Sequence, residues 1–186
     1  GGAFDPVHIG HLRGVMAVRD TLSLERVYLI PAAQSPLKNQ ATVDAKHRLA
    51  MLNRAVADLH GVAVDARELE RPGPSYTADT LAGLRQEYGA ERTLVWIIGA
   101  DILATLPRWS RWRELLEFAH IVVMGRPDAK PYPPEVSAWL EENKSDQAGL
   151  LSRPGGGVFT LAQPLLDISS SDIRAMIAAG HDPRFL

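Results

Sequence analysis

Apolar residues recur along this chain at two spacings, and the switch between them predicts the elements. Ile9, Leu12, Val15 and Met16 share one face of a helix expected to begin near residue 10 and run to about 21. Val27-Tyr28-Leu29-Ile30, closed by Pro31, has the composition of a short buried strand. A helix over 44–58 stopped by Gly61, a strand at Val62-Ala63-Val64, and a helix from an N-cap at Ser75 through Tyr88 to Gly89 follow in turn. Thr93-Leu94-Val95-Trp96-Ile97-Ile98 is a continuous apolar run of the kind helices bury on both faces, and it is the expected central strand. Residues 119–124 and 158–161 repeat the strand pattern, with one amphipathic helix at 135–143 in the proline- and glycine-rich stretch between them. The last helix is expected from Ser169, with Asp172 three residues on as a capping partner, to residue 179 before Gly180.

Short apolar strands alternating with helices predict an α/β fold, a Rossmann-like doubly wound parallel sheet with right-handed crossovers. Ligands in such sheets bind beyond the carboxyl ends of the strands. One domain over 1–186 is the expectation, since the length suffices for a single core and no internal repeat is present. The strand that ought to feed the opening glycine pair is missing from the chain, which also stops in mid-segment at Arg184-Phe185-Leu186, so trimming at both ends is expected.

Composition narrows the setting. Hydrophobic content of 46% and charged content of 23% are ordinary for a soluble globular protein, and no run approaches the roughly 18 apolar residues of a membrane span. With no secretory signal pattern and no cysteine, a cytoplasmic protein without a membrane partner is expected. The net charge of −2 argues against a nucleic-acid partner, which would require a broad basic face. Oligomeric state leaves no trace in the sequence.

The densest chemistry lies in the first fourteen residues, GGAFDPVHIGHLRG. Gly1 and Gly2 allow close backbone approach to a ligand. The helix that follows Asp5-Pro6 presents unpaired N–H groups and a positive dipole end beside them, which favours an anion. His8 and His11, three apart, can both point at it. A metal pair is the rival reading, but no glutamate stands between them as in HExxH and no third ligand is near. Satisfied surface histidines are the bland one.

Other candidates come from the expected loops. Lys38, in PAAQSPLK, can reach a phosphate as a point charge or be a solvated loop lysine; Lys46-His47-Arg48 adds cations nearby. Tyr76 and Thr77 at a helix mouth can offer hydroxyl or backbone contacts. Gly99-Ala100-Asp101 follows the strongest strand, and Asp101 suits either a ribose hydroxyl or a helix cap. Trp109 and Trp112 are either core or, for one of them, a platform for a flat heteroaromatic ring. Arg126 leaves a strand end within reach of a ligand. Capping explains the serines of DISSSDIR; Arg174, on the first turn of the expected helix, where the dipole disfavours a cation, is better explained by an anion.

GGAFDPVHIGH resembles the signature of the nucleotidyltransferase superfamily, with its HxGH motif spelled HIGH. Together with PAAQSPLK, ELERPGPSYTADTL, IIGADILATLPRWSRWREL, VVMGRP and ISSSDIR, the chain is similar to the bacterial nicotinate-nucleotide adenylyltransferase family over nearly its whole length. The resemblance implies a nucleotidyltransferase-type sheet and transfer of adenylyl from ATP to nicotinate mononucleotide. It implies Gly1, Gly2, Phe4, His11, Gly99, Asp101, Ser170 and Arg174 at ATP; Lys38, Tyr76, Thr77, Trp109 and Arg126 at the mononucleotide; and His8, His11, Lys38 and Arg174 in catalysis. Mg²⁺ is expected to arrive on the triphosphate without dedicated protein ligands. A phosphate nucleophile with a second pKa of about 6 needs no general base, so positioning and charge stabilisation would suffice.

Three rivals share part of this pattern. A sister enzyme acting on pantetheine phosphate or a polyol phosphate keeps the first and last motifs but does not predict SYTADTL with the tryptophan loop. A class I aminoacyl-tRNA synthetase shares HIGH, yet 186 residues leave no room for tRNA binding. A nucleotide sensor without turnover would have no need of His8, His11 and Arg174 together. Preference for nicotinate over nicotinamide mononucleotide is not legible, because it can rest on backbone N–H groups alone.

Overall fold

The structure, a computed structural model, describes residues 1–34, 43–125, 132–162 and 166–186. The chain divides into two compact units, Gly1–Ser75 with Leu165–Leu186, and Tyr76–Pro164.

The first unit opens with α1 (Ile9–Thr21), β1 (Val27–Leu29), α2 (Ala45–Val56), β2 (Val62–Val64) and α3 (Arg67–Glu70). β1 and β2 pair in parallel, Val27 opposite Val62 and Leu29 opposite Val64. Gly2 extends the pairing past β1: its N–H donates to the Ile30 carbonyl at 3.1 Å, and Ala32 N–H donates to the Gly2 carbonyl at 2.9 Å. The opening glycines therefore lie at the carboxyl end of β1, where a parallel sheet binds ligands. Val18, Leu22, Leu29 and Leu52 are buried beneath them. Asp44 caps α2 by accepting the Lys46 N–H at 2.9 Å, and Gly61 makes its turn at φ +72°, which suits a residue without Cβ.

The second unit contains α4 (Thr77–Tyr88), β3 (Val95–Gly99), a 3₁₀ helix (Ala100–Arg108), α5 (Leu115–Phe118), β4 (His120–Met124), α6 (Pro134–Glu142), α7 (Gln147–Leu151) and β5 (Val158–Leu161). Its three strands are parallel in the order β3-β4-β5, with Val95 opposite His120 and Ile121 opposite Val158. Among the described strands of this sheet β4 is the middle one and is buried on both faces at His120–Val123, whereas β3, expected as the central member, stands first in their order and buries only Trp96 and Ile98. An apolar run cannot by itself say which strand is flanked on both sides. Leu103, Leu106, Leu115, Ile121, Val123 and Val136 form the heart of this unit's core.

One cation organises much of that unit. The Arg85 guanidinium donates to the carbonyls of Gly89, Ala90 and Arg92 beyond its own helix, and to those of Phe118 and Pro154, at 2.6–3.2 Å. Its planar fork meets groups from three segments that a lysine could not reach at once.

The chain returns to the first unit for α8 (Ser170–Ala178), where Ser169 is the N-cap, its Oγ accepting the Asp172 N–H at 3.1 Å. The predicted cap at Ser75 is not observed. Tyr76 occupies that position, and the Ser75 hydroxyl instead accepts the Ala33 N–H at 3.1 Å, a tertiary contact across forty-two residues. No helix among the described residues is long and apolar enough to cross a membrane.

Candidate functional site

In the first unit, the HIGH segment folds so that its two imidazoles stack at the start of α1. His8 is extended (φ −147°, ψ 169°) as the N-cap, and its N–H donates to His11 Nδ1 at 3.3 Å. With Nδ1 accepting, the neutral His11 ring carries its proton on Nε2. The ring centroids lie 3.7 Å apart at 37°, and Phe4 meets His11 edge-on at 5.1 Å. Phe4 is buried at φ +50°. Burial pushes the His8 pKa below its ordinary value, and its buried Nδ1 has no hydrogen-bond partner among the described residues.

Gly10 makes the stack possible. A Cβ there would sit 3.0 Å from His8 Nδ1 and 3.1 Å from its Cε1. In the sequence Gly10 marks a helix start and stands inside the HIGH motif, but its contact with the His8 ring is visible only in the fold.

The amino end of α8 is fastened to the turn just before His8. Ser170 Oγ donates to the Pro6 carbonyl at 2.8 Å, and Arg174 donates to the Asp5 carbonyl, with its guanidinium 3.9 Å from the Asp5 carboxylate and 3.3 Å from Ser171 Oγ. Segments more than 160 residues apart in sequence thus meet at Asp5-Pro6. Arg174 lies four residues into α8, in the second turn and not the first, and Asp5 supplies an anion that the dipole argument assigned to a ligand. Beside this junction is a cavity of about 310 Å³, lined by Met51, Arg54, Arg174 and Ile177 among others.

The second unit carries the other described candidates. Tyr76 caps α4 and is over a third exposed, and Thr77 is the first helical residue. Asp101 is exposed in the first turn of the 3₁₀ helix, whose N-cap is Gly99, so Asp101 is not the cap. Its Oδ1 would stand 2.4 Å from a Cβ at Gly99, so only glycine lets the carboxylate fold back there. The tryptophans divide: Trp112 is core, packed edge-on to Trp139 at 5.4 Å, while Trp109 is partly exposed, held by Nε1 donating to Thr105 Oγ1 at 3.2 Å and by Trp96 at 5.3 Å. Arg111, at φ +53°, ties this loop to α4 through an ion pair with Asp79. Lys38 and Arg126 lie outside the described residues. Among the described residues no three His, Cys, Asp or Glu side chains gather as a metal site.

The profile of the cytidylyltransferase-like family matches residues 1–176. A Pseudomonas putida protein named probable nicotinate-nucleotide adenylyltransferase is 43% identical over 187 residues, covering 100% of this chain and 85% of the relative. A protein of the same name from Marinobacter nauticus is 43% identical over 188 residues, covering 100% and 87%. Among solved structures, Plasmodium falciparum nicotinic acid mononucleotide adenylyltransferase complexed with NaAD has a TM-score of 0.68 at 17% identity, over 97% of this chain and 83% of that one. The same protein complexed with APC gives 0.67 at 16% identity, over 98% and 84%. The architecture is the α/β class anticipated from the strand pattern and, within it, the nucleotidyltransferase type that the resemblance implied.

Proposed function

The chain belongs to the cytidylyltransferase-like family and, within it, to the nicotinate-nucleotide adenylyltransferases, and from that premise we propose that it transfers the adenylyl group of ATP to nicotinate mononucleotide, giving nicotinate adenine dinucleotide and pyrophosphate for NAD biosynthesis. The observation that carries this reading is the fastening of α8 to Asp5-Pro6, because it brings Arg174 to the turn that leads into His8 and His11. A stacked imidazole pair, a helix start and a guanidinium gathered at one turn suit a polyphosphate.

In the proposed reaction a phosphate oxygen of the mononucleotide attacks the α-phosphorus of ATP, a new P–O–P bond forms, and the bond to the leaving pyrophosphate breaks. The dianionic phosphate needs no base. His8, His11, Lys38 and Arg174 are assigned to the charge that builds on the α-phosphate and pyrophosphate. Gly1, Gly2, Phe4, Gly99, Asp101 and Ser170 are assigned to ATP. Tyr76, Thr77, Trp109, Lys38 and Arg126 are assigned to the mononucleotide, with the accessible part of Trp109 as the surface for the pyridine ring. Mg²⁺ enters as part of the ATP substrate, and no protein ligand is assigned to it. The reaction is placed in the cytoplasm.

The test supplies ATP, Mg²⁺ and the acid or amide form of the mononucleotide in parallel, reading dinucleotide by chromatography and pyrophosphate by a coupled assay. Faster product formation from the acid is expected; no adenylyl transfer to either form would end the reading.

A further inference from the structure

Among the described residues, the largest fully buried side chain is a cation, Arg48 of α2, at 1% exposure. Its Nε donates to the Val43 carbonyl at 3.1 Å and one terminal nitrogen donates to the Ala3 carbonyl at 2.7 Å. No carboxylate among the described residues lies within ion-pair distance of it. Burying a guanidinium without a counter-charge is costly, and neutral carbonyls satisfy its protons without balancing its charge. What it holds is the opening loop. The Ala3–Phe4 peptide is trans, so its N–H points opposite to its C=O. With the Ala3 carbonyl drawn in toward Arg48, the Phe4 N–H is turned away from α2, and it has no acceptor among the described residues. Phe4 itself is held at φ +50°, a conformation a phenylalanine does not adopt unaided.

We propose that Arg48 is a positioning residue for the ATP polyphosphate: it fixes the Ala3 carbonyl inward, thereby presenting the Phe4 amide to the anion, and sets a buried positive charge behind the loop. The proposal rests on the ATP reading above. Its anion, when bound, supplies the counter-charge that the core lacks.

The test measures equilibrium binding without turnover. Wild type, Arg48→Met and Arg48→Lys are titrated with ATP, with inorganic tripolyphosphate and with nicotinate mononucleotide, well below each variant's thermal midpoint. Arg48→Met is expected to weaken ATP and tripolyphosphate about tenfold or more, the scale of one charge-assisted contact, while mononucleotide binding is expected to stay unchanged. Arg48→Lys, which keeps the charge but cannot make both carbonyl contacts, is expected between the two and serves alone if Arg48→Met does not fold. Unchanged polyphosphate affinity in a folded variant, or equal loss for all three ligands, overturns the proposal. A wild-type protein that binds neither polyphosphate removes the ATP reading itself.

Discussion

Whether His8 can lie over the start of α1 depends on a hydrogen atom in place of a methyl at residue 10. Gly10→Ala should raise helix propensity by about 0.5–1 kcal/mol, yet the new Cβ would press on the His8 ring at 3.0 Å. The expected result is a thermal midpoint unchanged or slightly raised, with turnover lower by about tenfold to a hundredfold because a reacting group is misplaced. Equal loss of stability and turnover would instead make Gly10 a packing residue. His11→Ala removes an electrostatic donor outright, and turnover should fall by about 10²–10³; wild-type turnover would take His11 out of the mechanism. Trp109→Ala should act on one substrate only, raising KM for the mononucleotide about tenfold, the scale of losing one stacking contact, with KM for ATP little changed. As candidates, His11 was legible in sequence because phosphate chemistry calls for such a donor, and Trp109 because the resemblance singles it out. Gly10, Arg48 and Arg111 were not, since each acts through a neighbour whose position only the fold reveals.

At the scale of elements, periodicity located α1 to within a residue and β2 and β5 to their ends, because each repeats its apolar spacing long enough to be read or is closed by clear turn residues. It missed α3 and α7, which are too short to show a period. Long-range polar contacts were equally invisible, and two of them fasten the second unit. His120, at the start of β4, is fully buried, with Nδ1 accepting the Gly157 N–H at 3.0 Å and Nε2 bonded to the Arg153 carbonyl at 2.9 Å. That arrangement requires a neutral ring, and burial holds its pKa below the ordinary 6.5. The unfolded chain therefore takes up the proton first as pH falls: the stabilisation is present above about pH 6.5 and is lost below it until the folded ring also titrates. Urea midpoints between pH 8 and 5 should fall more steeply for wild type than for His120→Gln, and parallel curves would discount the ring. Arg85→Met should cost about 2–4 kcal/mol by releasing several carbonyls at once, and Arg85→Lys should recover less than half of it in the same unfolding measurement.

Across the whole molecule, the net charge of −2 means that the bulk field does not draw polyanions in; attraction has to come from a few local cations and oriented dipoles. Such a site responds to salt differently from a broad basic surface. Exposed charges are screened over about 10 Å at 0.1 M ionic strength, whereas buried groups such as Arg48 are screened far less. The candidate anion-binding residues could be named from sequence because most of them sit in contiguous motifs, while the meeting of DISSSDIR with FDP, across more than 160 residues, had no local signal; the resemblance only assigned Ser170 and Arg174 to the same ligand as Gly1, Gly2 and Phe4. Metal dependence then separates two sources of positive charge. If Mg²⁺ belongs to ATP, EDTA should abolish turnover, excess Mg²⁺ should restore it, and the thermal midpoint of the protein without ATP should not move on chelation. The described residues offer no three-ligand cluster whose loss could shift that midpoint. A lower midpoint in EDTA would place a metal on the protein, where binding free energy becomes folding free energy; full turnover in EDTA would leave the cations of the chain to neutralise the triphosphate by themselves.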